Sequence, residues 1–198
     1  MSKLTAIENA IIQLGAGEFQ KFCDTFLSKM DKYGVILGYG MKTGTLKTTI
    51  GNPDTYFVRE NGKYVFVVYT TQQDNIYNKI QEDIEKCFDR QKTGVELSDI
   101  EEIVCCHTSS NLSAGDDQKL HKMCFDKGIL LTIYGVDEIA QQIYSNYPVI
   151  ARDFLGIEID TNQIMSAEEF VKQYDSSETA APLDTVFQNR VEELESLK

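Results

Sequence analysis

Two apolar stretches with a helical segment between them constrain the fold more than any other feature of the chain. The stretches "IEEIVCCHT" and "GILLTIYG" resemble buried strands, and a helix is predicted at about 116–126 between them. Strands that alternate with helices are joined by right-handed crossovers and lie parallel in one sheet. The earlier stretch "TYFVRENGKYVFVVYTT" predicts an antiparallel hairpin, because Asn61-Gly62 is a strong turn signal. The sequence therefore predicts an α/β fold with a mixed central β-sheet flanked by helices.

Apolar residues at helical spacing account for most of the remaining chain. Helices are predicted at about 5–14, in "GEFQKFCDTFLSKM", at about 73–89, and from Val136 to about Tyr147, ending before Pro148. The stretch "YGVILGYGM" predicts one more short strand. We expect a single domain at 1–160. Residues 161–198 accumulate Ser, Thr, Ala and Pro before a last helical pattern begins, which predicts a linker and the truncated start of a following module.

The overall composition argues against several classes of protein. No apolar run approaches the length of a membrane span, and the start "MSKLTAIENA" is not a secretory signal. Five cysteines without CxxC spacing predict reduced thiols in a cytoplasmic protein. The net charge of −12 disfavours a protein coated for non-specific nucleic-acid binding. A basic strip between residues 41 and 63 suits either a phosphate-rich ligand or a solvated hairpin surface; its bases are Lys42, Lys47, Arg59 and Lys63.

Two motifs that carry chemistry in other proteins are incomplete here. Cys105-Cys106-His107 lacks the nearby base that a catalytic cysteine needs and the ligands that a zinc site needs, so packing of a buried strand is the better interpretation. The side chain of His107, where this strand ends, still has the option of facing a cleft. The stretch "GYGMKTGTLK" has the spacing of neither a Walker loop nor a dinucleotide fingerprint.

Asp54, at the entrance of the predicted hairpin, is the strongest candidate for a functional side chain. It follows a basic loop and precedes the first hairpin strand, and an earlier helix in the same domain carries Glu18. A strand-entrance Asp, an acid on the adjacent strand and a helix-borne Glu together hold Mg²⁺ for phosphodiester hydrolysis. The alternative is that Asp54 only caps the strand entrance, since Pro-Asp is a common turn pair.

The succession of segments over roughly residues 8–165 resembles the PD-(D/E)xK restriction-endonuclease superfamily. It is most similar to the endonuclease-like domain at the front of large bacterial STAND-type NTPases that defend against phage. The resemblance is carried by "GNPDTYF", "NGKYVFVVYTTQ", "DIEKCFD", "VCCHTSSNL", "GILLTIYGVDEIAQQIY" and "YPVIARDFLGIEIDTNQI". It implies a restriction-endonuclease-like fold, DNA as the substrate, Mg²⁺ as the cofactor with Mn²⁺ able to substitute, a longer parent chain, and a homo-oligomer when activated.

The family pattern can be placed on this sequence position by position. Its first acid falls on Asp54 and its second on Val68, where the carboxylate is missing. The lysine position is held by Thr70, with Gln72 following, and both would contact the phosphate. Glu18 would support the metal, and the expected nucleic-acid contacts are Gln20, Lys42, Lys47 and Lys63. With Val68 in place of the second acid, we expect little or no cleavage.

Two further interpretations and one ambiguity remain open in the sequence. The domain could have lost catalysis and serve as a nucleic-acid-binding or oligomerisation module, or it could be a sensor whose ligand meets the loop at 38–48. A two-residue hairpin loop would place Asp54 opposite Tyr69. A three-residue loop would place it opposite Val68, but would also pair the like charges of Arg59 and Lys63.

Overall fold

The structure, a computed structural model, describes residues 2–30, 32–33, 37–38, 52–110 and 112–159. Met1–Ile159 form one compact unit. The predicted module at 161–198, the loop at 38–48, and the predicted contacts Lys42 and Lys47 lie wholly or almost wholly outside the described residues. Among the residues that are described, no helix is long and apolar enough to cross a membrane.

The described chain contains the predicted helices and strands in the predicted order, together with two short helices that were not predicted. The helices are α1 (Lys3–Ile12), α2 (Ala16–Ser28), α3 (Ile76–Phe88), α4 (Arg90–Thr93), α5 (Ala114–Phe125), α6 (Val136–Asn146) and α7 (Pro148–Leu155). The strands are β1 (Leu37–Gly38), β2 (Thr55–Val58), β3 (Tyr64–Thr70), β4 (Ile100–His107) and β5 (Leu130–Tyr134). A 3₁₀ turn at Leu97–Asp99 leads into β4.

The five strands form one mixed sheet in the order β1-β2-β3-β4-β5. The pairs β1–β2 and β2–β3 are antiparallel, whereas β3–β4 and β4–β5 are parallel. Each parallel pair is joined through helices, α3 and α4 in the first case and α5 in the second. The prediction of an α/β fold with a mixed central sheet between helices is thus confirmed.

Successive side chains of the central strands project to opposite faces of the sheet, and both faces are buried. Val65 and Val67 of β3 join the core formed with α1, α2, α6 and α7. Phe66 and Val68 join the other core, which contains α3 and α5. This period of two, on strands buried from both sides, explains why β3 and β4 are almost continuously apolar in sequence.

The helix α7 was not predicted. Helix α6 does end before Pro148, as expected, but a new helix begins at this proline. Proline suits the first position of a helix because its φ is already helical and its missing N–H would have no partner there. Phe154 of α7 then packs edge-on against Phe22 of α2, with ring centroids 5.8 Å apart.

The hairpin between β2 and β3 has the three-residue loop. The backbone N–H of Arg59 donates to the carbonyl of Lys63 at 2.9 Å, and Gly62 closes the turn with a φ of 79°. Thr55 pairs with Val67, so the register places Asp54 directly opposite Val68. The expected repulsion between Arg59 and Lys63 is relieved because their side chains bind different carboxylates, Glu101 and Glu102 for Arg59 and Asp99 for Lys63.

Gly62→Ala tests how firmly this turn sets the register. A side chain at φ 79° lies in the left-handed region, so we expect the substitution to lower the free energy of unfolding by about 1–2 kcal/mol. The matched control is Gly115→Ala in the first turn of α5, where an added Cβ meets nothing closer than 4.0 Å. There alanine should stabilise by about 0.5–1 kcal/mol. Urea denaturation measures both, and equal effects would contradict the turn assignment.

Candidate functional site

The side chain of Asp54 lies on the face of the sheet that carries Val68. Its Oδ2 accepts a hydrogen bond of 3.0 Å from the backbone N–H of Tyr69. Residues that lie directly opposite each other in an antiparallel pair project to the same face. Because Val68 belongs to the core with α3 and α5, the carboxyl group of Asp54 borders that core, at the end of the hairpin farthest from the turn.

Burial makes the Asp54 carboxyl a weaker acid than an exposed aspartate. Loss of solvent is the main cause that raises its pKa from 3.8 to about 6, and the nearby charge of Asp83 raises it further. The hydrogen bond from Tyr69 and the ammonium groups of Lys79 and Lys86 oppose this rise in pKa. Asp54 is therefore close in space to three charged residues of α3.

These three residues form an ion-pair cluster on one side of α3. The Oδ1 atom of Asp83 lies 2.8 Å from Nζ of Lys79 and 2.8 Å from Nζ of Lys86. Asp83 is buried, at 9% exposure, within the stripe that also carries Ile80 and Ile84. An acid inside an apolar helical stripe is a signal that the sequence contains, and it marks Asp83 as a candidate, but only the structure shows that its neighbour is Asp54.

The opposite face of the sheet holds a second polar cluster, centred on Asp24 of α2. The Nε2 atom of Gln20 donates to the carbonyl of Asp54 and to Oγ1 of Thr55, at 3.3 Å each. Thr55 donates to Oδ1 of Asp24 at 3.1 Å, and the hydroxyl of Tyr69 donates to the same atom. Burial raises the pKa of Asp24. This cluster ties α2 to the point where β2 begins. The spacing of Asp24 four residues after Gln20 places both side chains on one helix face, but it does not indicate that they contact Thr55 and Tyr69.

Other predicted site residues have separate surroundings. Glu18 is exposed and its carboxylate accepts a hydrogen bond of 3.1 Å from the backbone of Gly15 as a helix cap. It lies roughly 200° around α2 from Gln20, because successive helical residues turn by about 100°. Gln72 is exposed and donates to the carbonyl of Asp74. Lys63 lies at the turn, roughly 17 Å along the strand from Asp54 at about 3.4 Å per residue.

Thr70 is closer to the Asp54 region than these residues. It is buried, at 6% exposure, and shares the sheet face of Val68 because it lies two positions farther along β3. Its hydroxyl accepts a hydrogen bond of 3.2 Å from the backbone N–H of Gln72. The predicted positions Asp54, Val68 and Thr70 therefore share one face of the sheet. Among the described contacts, none connects Glu18, the predicted helix-borne acid, to these three residues.

The side chains around Asp54 do not fit a Mg²⁺ ion as they stand. Mg²⁺ requires an octahedral shell of oxygen atoms, whereas Val68 offers none. Oδ1 of Asp83 is already bound by two lysines, and Oδ2 of Asp54 accepts from Tyr69. Across the part of the chain that is described, no three or more His, Cys, Asp or Glu side chains are placed to hold a metal ion.

The cysteines are structural. All five are buried and none forms a disulfide. Burial raises the pKa of Cys105 well above its ordinary value, which keeps the thiol protonated and unreactive. Its neighbour Cys106 faces the other core, as alternation along β4 requires. The packing interpretation of this pair agrees with the structure, and His107 alone remains as a functional candidate of that motif.

Comparisons of the sequence with known families and curated proteins identify no relative that would assign this site. No model of a known protein family matches the chain, and a search among curated proteins finds no relative.

Proposed function

We propose that residues 1–160 are a restriction-endonuclease-like domain, derived from metal-dependent DNA endonucleases and inactive in cleavage because Val68 occupies the position of the second acid. The observation that carries the proposal is the hairpin register, which places Asp54 directly opposite Val68 on one face of a mixed sheet. A glutamate at position 68 would bring a second carboxylate beside the first. Two close carboxylates supply the oxygen ligands that Mg²⁺ prefers.

The surroundings of Asp54 support this assignment. A carboxyl group whose pKa is raised to about 6 by burial is costly to the fold in its charged form. Groups of this kind concentrate at functional sites, where a cation or substrate offsets the cost. Lys79 and Lys86, whose charges act on Asp54, are half-buried and have positive charges that suit a phosphate. The resemblance adds that the domain would act as the effector of a larger antiphage-defence NTPase and would assemble into homo-oligomers when activated.

Restoring the acid is the direct test. In a plasmid-cleavage assay with Mg²⁺ or Mn²⁺, we expect Val68→Glu to cut DNA and the unmodified chain not to cut it. A gain of at least about 10- to 100-fold over background is expected, since even weakened support of a metal ligand costs that much. Val68→Gln is the matched control, because it has the same shape without the charge. Combining Val68→Glu with Asp54→Ala should abolish the gain.

A second measurement keeps the test decisive if the new glutamate weakens the fold. Val68 is only 2% exposed, so a charged glutamate there will be destabilising without a cation. Millimolar Mg²⁺ should raise the melting temperature of Val68→Glu and leave that of Val68→Gln unchanged. If Val68→Glu folds but neither binds Mg²⁺ nor cuts DNA at high protein concentration, the nuclease proposal is wrong. Cleavage by the unmodified chain would show that another acid has taken over the role of the second metal ligand. Asp83 is the first residue to replace in order to identify that acid.

The observed ion pairs favour one alternative function, a nuclease-fold domain that binds nucleic acid without cutting it. Asp83 is neutralised by two lysines, so the region around Asp54 is held together without a metal. On this alternative, DNA binding in a mobility-shift assay would persist in EDTA and would not change with Asp54→Ala. It would weaken steeply with salt, because contacts to phosphates release counterions.

A further inference from the structure

A cavity of about 360 Å³ opens where the parallel strands β4 and β5 end. Its lining includes His107, the last residue of β4, and Gly135, which follows β5, together with residues from the first turns of α5 and α6. In open α/β sheets this edge, at the carboxyl ends of parallel strands, is the usual place for a ligand. The cavity is separate from the residues that surround Asp54.

His107 is the buried polar group of this cavity. The residue is 3% exposed, and its Nδ1 atom has no hydrogen-bond partner. The backbone of Ser109 favours protonation of the ring and so raises its pKa. Burial outweighs this effect and lowers the pKa of the ring, which is therefore neutral at pH 7. A buried polar atom without a partner is uncommon in folded proteins and calls for one.

The ring of His107 is held in place by close packing. A Cβ atom added at Gly135 would lie 3.2 Å from Cε1 and 3.5 Å from Nε2 of His107, so any larger residue would press on this edge of the ring. The neutral imidazole offers one donor and one acceptor nitrogen. Nδ1 is enclosed by protein atoms, so a ligand in the cavity would meet the Nε2 edge of the ring, which lies beside Gly135.

The charge that lines the cavity selects the ligand. Asp117, Asp137 and Glu138 all contribute to the lining, and the described lining residues include no lysine or arginine. Asp117 also lies 3.6 Å from Nε2 of His121. Glu138 is partly desolvated, which raises its pKa. An anion would meet this negative charge without a cationic partner, so a phosphate or carboxylate ligand is disfavoured despite the two helix N-termini. A cation is favoured.

An organic cation fits this lining better than a metal ion does. The described acids and histidines are not placed to share a single metal ion. Carboxylates that are too dispersed for one ion can still surround a ligand whose charges are themselves spread along a chain. Leu112 and Ile133 supply apolar contacts between them, which match an aliphatic spacer.

We propose that the cavity at the ends of β4 and β5 binds an aliphatic polyamine, with its ammonium groups on Asp117, Asp137 and Glu138 and its chain along Leu112 and Ile133. His107 completes the site from below. The assignment is independent of the nuclease proposal, since it uses none of the residues around Asp54.

Calorimetric titration of the 198-residue chain with spermidine tests this assignment. We expect saturable binding of one spermidine, and binding about tenfold weaker when Asp137→Asn and Glu138→Gln are combined. The matched control is Glu82→Gln combined with Glu85→Gln, which removes the same charge from exposed positions of α3. 1,6-Hexanediol, which is neutral, and inorganic phosphate should not bind.

The two histidines of the chain provide a second readout. In nitrogen-15 NMR spectra of the imidazole rings, with His121→Gln used for assignment, the His107 signals should shift with the same dissociation constant as the calorimetry. An equal loss of affinity in both double variants would identify general attraction to an acidic surface and overturn the proposal. So would spermidine binding that leaves the His107 signals unchanged, or the absence of saturation at millimolar spermidine.

Discussion

Glu102→Ala is expected to lower the free energy of unfolding by about 3 kcal/mol, the lower part of the range for a broken buried ion pair. The side chain of Glu102 is 0% exposed. Its Oε1 lies 2.6 Å from Nζ of Lys32, and its Oε2 lies 2.7 Å from Nη2 of Arg59. Alanine would leave both cations without this partner. The cost remains at the low end because Lys32 is 43% exposed and regains water.

The hydrogen bonds of Glu102 extend the effect beyond its two ion pairs. The hydroxyl of Thr132 donates to Oε1 at 2.7 Å, and that of Tyr33 at 3.3 Å. The carboxylate therefore connects β4 to β5, to the hairpin and to the segment after α2. Removal of one partner from such a network also leaves buried hydroxyl groups without their acceptor. Each hydroxyl that finds no new acceptor lowers the free energy of unfolding by about 1–3 kcal/mol.

Two companion variants separate charge from position. Glu102→Gln keeps the shape and several hydrogen bonds, and should cost about 1–2 kcal/mol. Glu101→Ala is the matched control, because Glu101 is the neighbouring acid, contacts the same Arg59 at 2.6 Å and is 38% exposed. An exposed pair of this kind contributes about 0.2–1 kcal/mol. Urea denaturation of the three variants decides the matter, and similar losses for Glu101→Ala and Glu102→Ala would contradict the network.

Glu102 also explains why the hairpin register could not be predicted. From sequence, the like charges of Arg59 and Lys63 oppose the three-residue loop, and nothing local offsets them. In the folded chain Arg59 reaches across to Glu102, 43 residues later, and that pairing removes the objection. The register determines which residue faces Asp54. A contact between segments that are distant in sequence therefore determines the hairpin register, which looks, from the sequence, as if it depended on the turn alone.

Periodicity was sufficient wherever burial alone determines the structure. The stripes of α2 and α3 and the two-sided apolar character of β3 and β4 predicted these elements and the mixed sheet. It was insufficient where a polar side chain contacts another element, as with Asp83 beside Asp54 and Asp24 beneath Tyr69. In these cases the sequence holds the residue at helical spacing but not the neighbour it will meet. The sequence pattern does not predict the start of α7 at Pro148, because a proline is compatible both with the end of one helix and with the first position of the next.

Asp54→Asn is expected to stabilise the protein at neutral pH and to leave its stability unchanged in acid. The folded chain raises the pKa of Asp54 from 3.8 to about 6, so the fold binds this proton more tightly than the unfolded chain does. The stabilisation from the proton is complete below about pH 4 and is lost as the pH rises through about 6. At about 1.4 kcal/mol for each unit of pKa, the full loss amounts to about 3 kcal/mol as an upper limit.

Asparagine lacks the charge but can still accept the hydrogen bond from Tyr69 through its amide oxygen. The difference in unfolding free energy between Asp54→Asn and the unmodified chain should therefore grow from near zero at pH 4 to about 1–3 kcal/mol at pH 7.5. Asp99→Asn, at an exposed carboxylate, should stay within about 0.5 kcal/mol of the unmodified chain at both pH values. A difference for Asp54→Asn that does not depend on pH would mean that the carboxyl is not held in this costly state. A pH-dependent gain in unfolding free energy would mean that the Asp54 carboxylate destabilises its own fold at neutral pH. The chain retains this carboxylate although position 68 carries no acid. Stability alone gives no reason to keep such a group.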